Sequence, residues 1–172
     1  DYIADIAKDF HELDRRAIKR VVLIGAGLIG RNLAILLAES GYIVKVIEKD
    51  MARCEQLAAM NDKVMVINGD GTNMELLEAE EISDNDVIIC LTDDDKLNLL
   101  VALLAKHLGI PKTIVRVGRP EYITLMEQVG IDIVFSPRLL TSGEILRMVR
   151  RGENVISLST FEGGKAEAVE VE

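Results

Sequence analysis

Val21-Val22-Leu23-Ile24-Gly25-Ala26-Gly27-Leu28-Ile29-Gly30 decides the fold of this chain. Four consecutive apolar residues, mostly β-branched, predict a strand buried on both faces, since side chains then point to opposite sides and both sides must be dry. The glycine spacing follows at once and opens an amphipathic run. That run predicts a helix with Ile29, Leu33, Leu36 and Leu37 inward and Gly41 as its stop. A glycine-rich loop in this setting has a physical use. Gly25 permits a tight turn, Gly27 lets backbone approach a pyrophosphate, and Gly30 lets helix and strand pack closely. The helix N-terminus then offers unpaired N–H groups and partial positive charge to an anion.

The same alternation runs outward in both directions. Upstream, Ile3, Ile6, Ala7, Phe10, Leu13 and Ala17 recur at helical spacing and predict a linker helix over 1–18. Downstream, strands are predicted at 43–47, 64–67, 87–91, 112–117 and 133–135. Between them, Asp50 caps a helix running to Met60, and Thr72 with Glu75 forms a capping box for a helix ending near Glu81. Further helices span 96–108, closed by Gly109, and 122–129, ended by Gly130. After Ser136-Pro137 a last helix reaches about Arg150, and 155–158 begins another strand. Strands separated by helices are repeated βαβ units. Residues 19–137 are therefore expected to form a Rossmann-like, doubly wound parallel sheet of six strands with helices on both faces.

Composition narrows the function. Of the 172 residues, 49% are apolar and 28% charged, and the net charge is -9. That acidity disfavours a phosphate-neutralising face, so no nucleic-acid partner is expected. No apolar run approaches the ~18–20 residues that span a bilayer, so a cytosolic domain without direct membrane insertion is expected. Cys54 and Cys90 sit in apolar stretches and read as reduced core residues. The first residue, Asp1, leads to the expectation of a piece of a longer chain.

Open parallel sheets bind ligands outside the carboxyl ends of their strands, and polar residues collect at those positions. Glu48 ends strand two, eighteen residues past Gly30, where an acid would hold the ribose hydroxyls of an adenosine; a strand-end surface Glu is the plainer alternative. Asp70 and Thr72 follow strand three, with Asp70 placed for adenine or ribose and Thr72 also suited to an N-cap. Thr92 and Asp93 follow strand four; Thr92 is placed for phosphate or the distal ribose, and the acids 93–95 equally suit a helix dipole. Arg116 ends strand five, within reach of a phosphate. A 2′-phosphate would meet Glu48 as a like charge, which favours NAD(H) or ATP/ADP over NADP(H), softened by Lys49 and Arg53 nearby. Catalytic signals are missing. His11 and His107 lie on predicted helices, no Tyr stands four positions before a Lys, and there is no P-loop, G-x-S-x-G or metal-spaced cluster. The expectation is a cofactor binder, not an enzyme.

The segment 21–30, together with Lys45-Val46-Ile47-Glu48-Lys49-Asp50, Ile67-Asn68-Gly69-Asp70-Gly71-Thr72, Leu91-Thr92-Asp93-Asp94-Asp95 and Ser136-Pro137-Arg138, resembles the TrkA-type regulatory subunits of potassium uptake systems, built from the domain called RCK or KTN. The resemblance runs in order from about Lys19 to Arg151. It implies a subunit, peripheral at the cytoplasmic face of the cell membrane, that binds NAD(H), ATP, ADP or AMP and gates a membrane potassium transporter. By position it puts the dinucleotide loop on Gly25, Gly27 and Gly30 with the flanking Leu28 and Ile29. The ribose acid falls on Glu48, the adenine-side acid on Asp70, the strand-four contact on Thr92 and the basic residue on Arg116. Lys49, Gly71, Thr72 and Asp93 neighbour these positions and are expected at the ligand. The helix before Lys19 resembles the lead-in to the second of two tandem nucleotide-binding domains, and 152–172 the start of a C-terminal lobe. Residues 138–151 carry Leu139, Leu140, Ile145, Leu146, Met148 and Val149 over more than one face. A helix pinned between the sheet and a C-terminal lobe would account for that spread; the resemblance implies instead a crossover helix and a homodimer or larger ring. A channel or efflux gating domain, or an NAD-dependent oxidoreductase, stays open as an alternative.

Overall fold

β1 (Arg20–Ile24) lies between β2 (Ile43–Glu48) and β4 (Val87–Cys90) in a six-stranded, all-parallel sheet of order β3-β2-β1-β4-β5-β6. β3 is Val64–Asn68, β5 Lys112–Arg116 and β6 Ile133–Phe135. This is a computed structural model, and it describes residues 18–150, 155–161 and 166–171. The doubly wound sheet expected from the sequence is the one observed.

The continuous apolar run of β1 feeds two cores at once. Val22 and Ile24 join Ile88, Cys90 and Val115 on one face, under Leu77 of α3 (Met74–Ala79), Val101, Ala102 and Ala105 of α4 (Asp95–His107) and Met126 of α5 (Ile123–Gln128). Val21 and Leu23 join Val44, Val46 and Ile89 on the other. There they lie under Ala34 and Ala38 of α1 (Leu28–Glu39) and Leu57 of α2 (Met51–Met60). Each buried Val, Leu, Ile or Met contributes about 1.5–3 kcal/mol by leaving water, which is why the alternation of the strand fixes both layers. The chain changes face after β3, and the strand order reverses across β1 and β4. A crevice opens there at the carboxyl ends of the strands.

Three local expectations are corrected and a fourth is extended. α1 does not bury Ile29 and Leu36, which are exposed; Gly30, Ala34 and Ala38 form its buried stripe. Three small residues at i, i+4 and i+8 let the helix axis lie close to the sheet, and the larger residues are displaced to its flanks. The capping box is absent: Asn73, not Thr72, caps α3, its side chain accepting from the Leu76 N–H. α3 and α5 are short, at six residues each, and a 3₁₀ turn at Pro120–Tyr122 precedes α5. The strand expected at 155–158 is β7 (Val155–Phe161), and it pairs antiparallel with β8 (Ala166–Val171), which had no counterpart in the sequence reading. α6 (Pro137–Arg150) precedes this hairpin. The helix expected over 1–18 lies outside the described residues except for its last position. Cys54 and Cys90 are buried and free, and burial pushes the Cys90 thiol well above its usual range.

Candidate functional site

The backbone pairing of β1, β2 and β4 continues beyond the strands into the loop that shapes the crevice. The Gly25 N–H donates to the Ile47 carbonyl at 2.9 Å, and the Leu91 N–H donates to that of Ile24 at 2.9 Å. Gly25 turns the chain at φ +98°, a conformation that L side chains rarely adopt. A Cβ on Gly30 would lie 1.9 Å from the Gly25 carbonyl oxygen, so α1 can start where it does only with a glycine there. Gly27 is the N-cap of α1 and supplies no side-chain cap, and the first turn holds no acid. A Cβ at Gly27 would meet no protein atom within 4 Å: that position faces open space, where an anion would sit.

That space is a cleft of about 450 Å³, inside the range of small-molecule sites. Ile24, Ile47, Leu91 and Leu97 supply its apolar lining. Its charged groups are arranged in three places. Glu48, only 7% exposed, is clamped by backbone: Oε2 accepts from the Ala26 N–H at 2.6 Å and Oε1 from the Asp50 N–H at 2.8 Å. Those two bonds tie the glycine loop to the end of β2. Asp70 Oδ1 accepts from the N–H and the hydroxyl of Thr72, at 3.0 and 2.7 Å, and its Oδ2 pairs with Lys49 Nζ at 3.1 Å. The backbone bond from Thr72, then its hydroxyl, then Lys49 hold the Asp70 carboxyl down at about 2. At the tips of β4 and β5, Arg116 Nη1 donates to the Thr92 carbonyl at 2.6 Å and to Asp93 Oδ1 at 2.8 Å.

The TrkA-N domain family model matches residues 21–137. The chain belongs to the TrkA-N domain family. It is 45% identical over 152 residues to Trk system potassium uptake protein TrkA homolog 2 of Methanosarcina mazei, covering 88% of this chain and 34% of that protein. It is 38% identical over 168 residues to TrkA of Halomonas elongata, covering 96% of this chain and 36% of that one. The chain thus spans about a third of the length of these relatives. Among solved structures, the TrkA-N domain of the inner membrane protein ybaL from Escherichia coli superposes with a TM-score of 0.69 at 17% identity, covering 77% of this chain and 98% of that one. The GsuK channel bound to NAD gives 0.67 at 18%, covering 94% of this chain and 30% of that one. At such identities these likenesses concern the fold.

In this TrkA-N domain the cleft brings together Gly25, Gly27, Leu28, Ile29, Glu48, Lys49, Asp70, Gly71, Thr92, Asp93 and Arg116 of the residues expected at the ligand. Two of the expected residues do not line it. Gly30 is behind the loop, where its part is the close approach just described. Thr72 turns its hydroxyl onto Asp70 and so acts through that carboxylate. Thr92 lines the cleft, and its hydroxyl is also engaged within the protein: it donates to Asn98 Oδ1 at 2.6 Å and accepts from the Asp94 N–H at 3.3 Å.

Asn98 is the residue that the sequence reading missed. It is fully buried in α4, and its amide also donates to the carbonyls of Thr92 at 2.9 Å and Arg116 at 3.0 Å. One side chain therefore fixes the tips of two strands. A lone Asn on an amphipathic helix carries no periodic signal that would reveal this. Arg53 and Gly69, also at the cleft, were legible only in part: Arg53 falls in the first turn after the Asp50 cap, and Gly69 lies beside Asp70.

Proposed function

We propose that this domain is the nucleotide sensor of a potassium uptake system: it binds NAD(H) or an adenine nucleotide in the cleft between β1 and β4 and passes its occupancy to a membrane potassium transporter without chemical turnover. The observation that carries the reading is the uncapped N-terminus of α1 facing open space at Gly27, with Glu48 anchored one strand away. A pyrophosphate fits the first and a ribose diol the second. A carboxylate has about four acceptor sites, and the two backbone bonds leave room for two ribose hydroxyls. The resemblance to uptake proteins at 38–45% identity favours this over a channel or efflux gating role. ATP, ADP and AMP share the adenosine features of NAD(H) and suit the same cleft.

The non-enzymatic reading is supported by the lining itself. Among the described residues it contains no His, Cys, Tyr or Ser, and Glu48 and Asp70 are each held by several donors of the protein. No helix of the described residues is long and apolar enough to cross a membrane, which suits a domain acting at the cytoplasmic face through a partner. Leu139, Ile145, Met148 and Val149 of α6 are exposed, and covering them suits a homodimer or larger ring.

Calorimetric titration tests the reading. NADH and ADP are expected to bind, and NADPH to bind roughly 10-fold more weakly because its 2′-phosphate meets Glu48. Equal affinity for NADPH would overturn the ribose assignment, and steady oxidation of NADH in the presence of carbonyl compounds would overturn the absence of turnover.

A further inference from the structure

The cleft carries its own counter-charges. Its lining holds three carboxylates, Glu48, Asp70 and Asp93, against three cations, Lys49, Arg53 and Arg116. Glu48 and Asp70 are fixed by backbone donors, Glu48 by the Ala26 and Asp50 N–H groups and Asp70 by that of Thr72. Asp93 is held differently. Its side chain is 93% exposed, and among the described residues its carboxylate meets Arg116 alone. Arg116 is the reverse: its side chain is 18% exposed, its Nη1 is also anchored on the Thr92 carbonyl, and its Nε is buried without a partner. The guanidinium is fixed and the carboxylate is the part that can leave, because ion pairs with one exposed partner contribute little.

The pair lies beside the phosphate end of the cleft. Thr92, whose carbonyl anchors Arg116, packs against the glycine loop so closely that a Cβ on Gly25 would come within 3.1 Å of Thr92 Cγ2. We propose that Asp93 is an internal competitor for the phosphate at Arg116, so that the cleft discriminates its ligands by their charge; this rests on the nucleotide reading above. A nucleoside brings no charge and leaves the Asp93–Arg116 pair in place. A diphosphate meets Asp93 as a like charge and gains Arg116 only when Asp93 moves away. Asp93 also borders a second groove of about 380 Å³, lined by Lys96 and Arg119 together with Asp94 and Asp95, whose carboxylates already accept from the backbone N–H groups of Lys96, Leu97, Gly118 and Arg119. Phosphate content is thereby converted into the position of one surface carboxylate. Only a ligand with unequal affinity for two arrangements can shift between them, and this pair supplies the inequality.

The test is a double-mutant cycle on the full chain, with Asp93→Asn and Arg116→Gln alone and together, titrating adenosine and ADP by calorimetry. The readout is the ratio of ADP to adenosine affinity, in which any general loss of folding cancels. Asp93→Asn is expected to raise that ratio about 2- to 5-fold, the worth of an exposed ion pair, and to leave it unmoved in the Arg116→Gln background. An unchanged ratio in a protein that binds ADP, or an equal rise without Arg116, overturns the competitor and leaves the nucleotide site standing. Absence of binding by both ligands to the parent overturns the nucleotide reading and this proposal with it.

Discussion

Replacing Glu48 by Gln keeps the shape of the side chain and removes its charge, which separates the two jobs its carboxylate is placed to do. Both oxygens now accept backbone N–H bonds, from Ala26 at 2.6 Å and Asp50 at 2.8 Å, and the residue is only 7% exposed. A carboxamide has one acceptor oxygen. Whichever way it is turned, its NH₂ faces one of the two backbone donors, and that N–H is left unpaired in a buried place. The other bond survives but loses its charge assistance. Hydrogen bonds to charged groups contribute about 1.5–3 kcal/mol, so a net loss of about 2 kcal/mol is expected. For a chain of 172 residues this corresponds to a fall in melting temperature of roughly 4–8 °C. Binding should suffer separately, since the ribose hydroxyls would donate to a neutral rather than a charged acceptor. NADH is expected to bind roughly 10-fold more weakly at a temperature where the variant is fully folded. The assays are a thermal melt followed by circular dichroism and a titration at about 15–20 °C below the variant's own midpoint, an interval well beyond the expected shift. A variant that melts within about 1 °C of the parent refutes the clamp. One that melts lower yet binds NADH unchanged keeps the clamp and removes Glu48 from the ribose.

Two further expectations concern the loops on either side of Glu48. Gly30→Ala places a Cβ 1.9 Å from the Gly25 carbonyl oxygen, a backbone atom that cannot rotate away, so the gain in helix propensity is outweighed and a loss of about 2 kcal/mol or more in urea unfolding is expected. Gly27→Ala meets no protein atom and should cost under about 1 kcal/mol while weakening NADH binding, because it fills the space facing the helix N-terminus; equal stability losses for the two variants would contradict this geometry. Asp70 has a carboxyl held at about 2 against an ordinary 3.8, so its contribution to stability is complete above about pH 3.8 and is lost as the pH falls through about 2. Carbon-13 titration of the Asp70 carboxyl should show that low midpoint, and Thr72→Val should raise it by removing the hydroxyl donor; a parent midpoint near 3.8 would show that the Thr72 bonds do not form in solution.

Much of this molecule was legible in one dimension. The run 21–24 had to be a strand buried on both faces, because a continuous apolar, β-branched segment leaves no side for water, and both cores indeed draw on it. The glycines at 25, 27 and 30 were readable because glycine adopts the φ of +98° at Gly25 without strain, leaves the N-cap of α1 open at Gly27 and permits the near-contact between helix and loop at Gly30. The acid at the end of β2 was readable from its distance along the chain. What sequence could not supply was the partner of each polar group. Hydrogen bonds between strand tips depend on which strands are neighbours, and the order β3-β2-β1-β4-β5-β6 is not written in any local pattern. Hence the bond from the Thr92 hydroxyl to Asn98 was not foreseen, and Thr72 read as a helix cap although Asn73 does that work and Thr72 serves Asp70. The buried stripe of α1 was misread for the same reason: periodicity weighs bulk, whereas a helix lying close to a sheet selects the smallest residues on its face. Sequence spacing determined where a ligand cleft must open, through the fixed geometry of strand, turn and helix. The tertiary structure alone decided which charges meet inside it, because Asp93 and Arg116 stand twenty-three positions apart in the chain and 2.8 Å apart across the tips of adjacent strands.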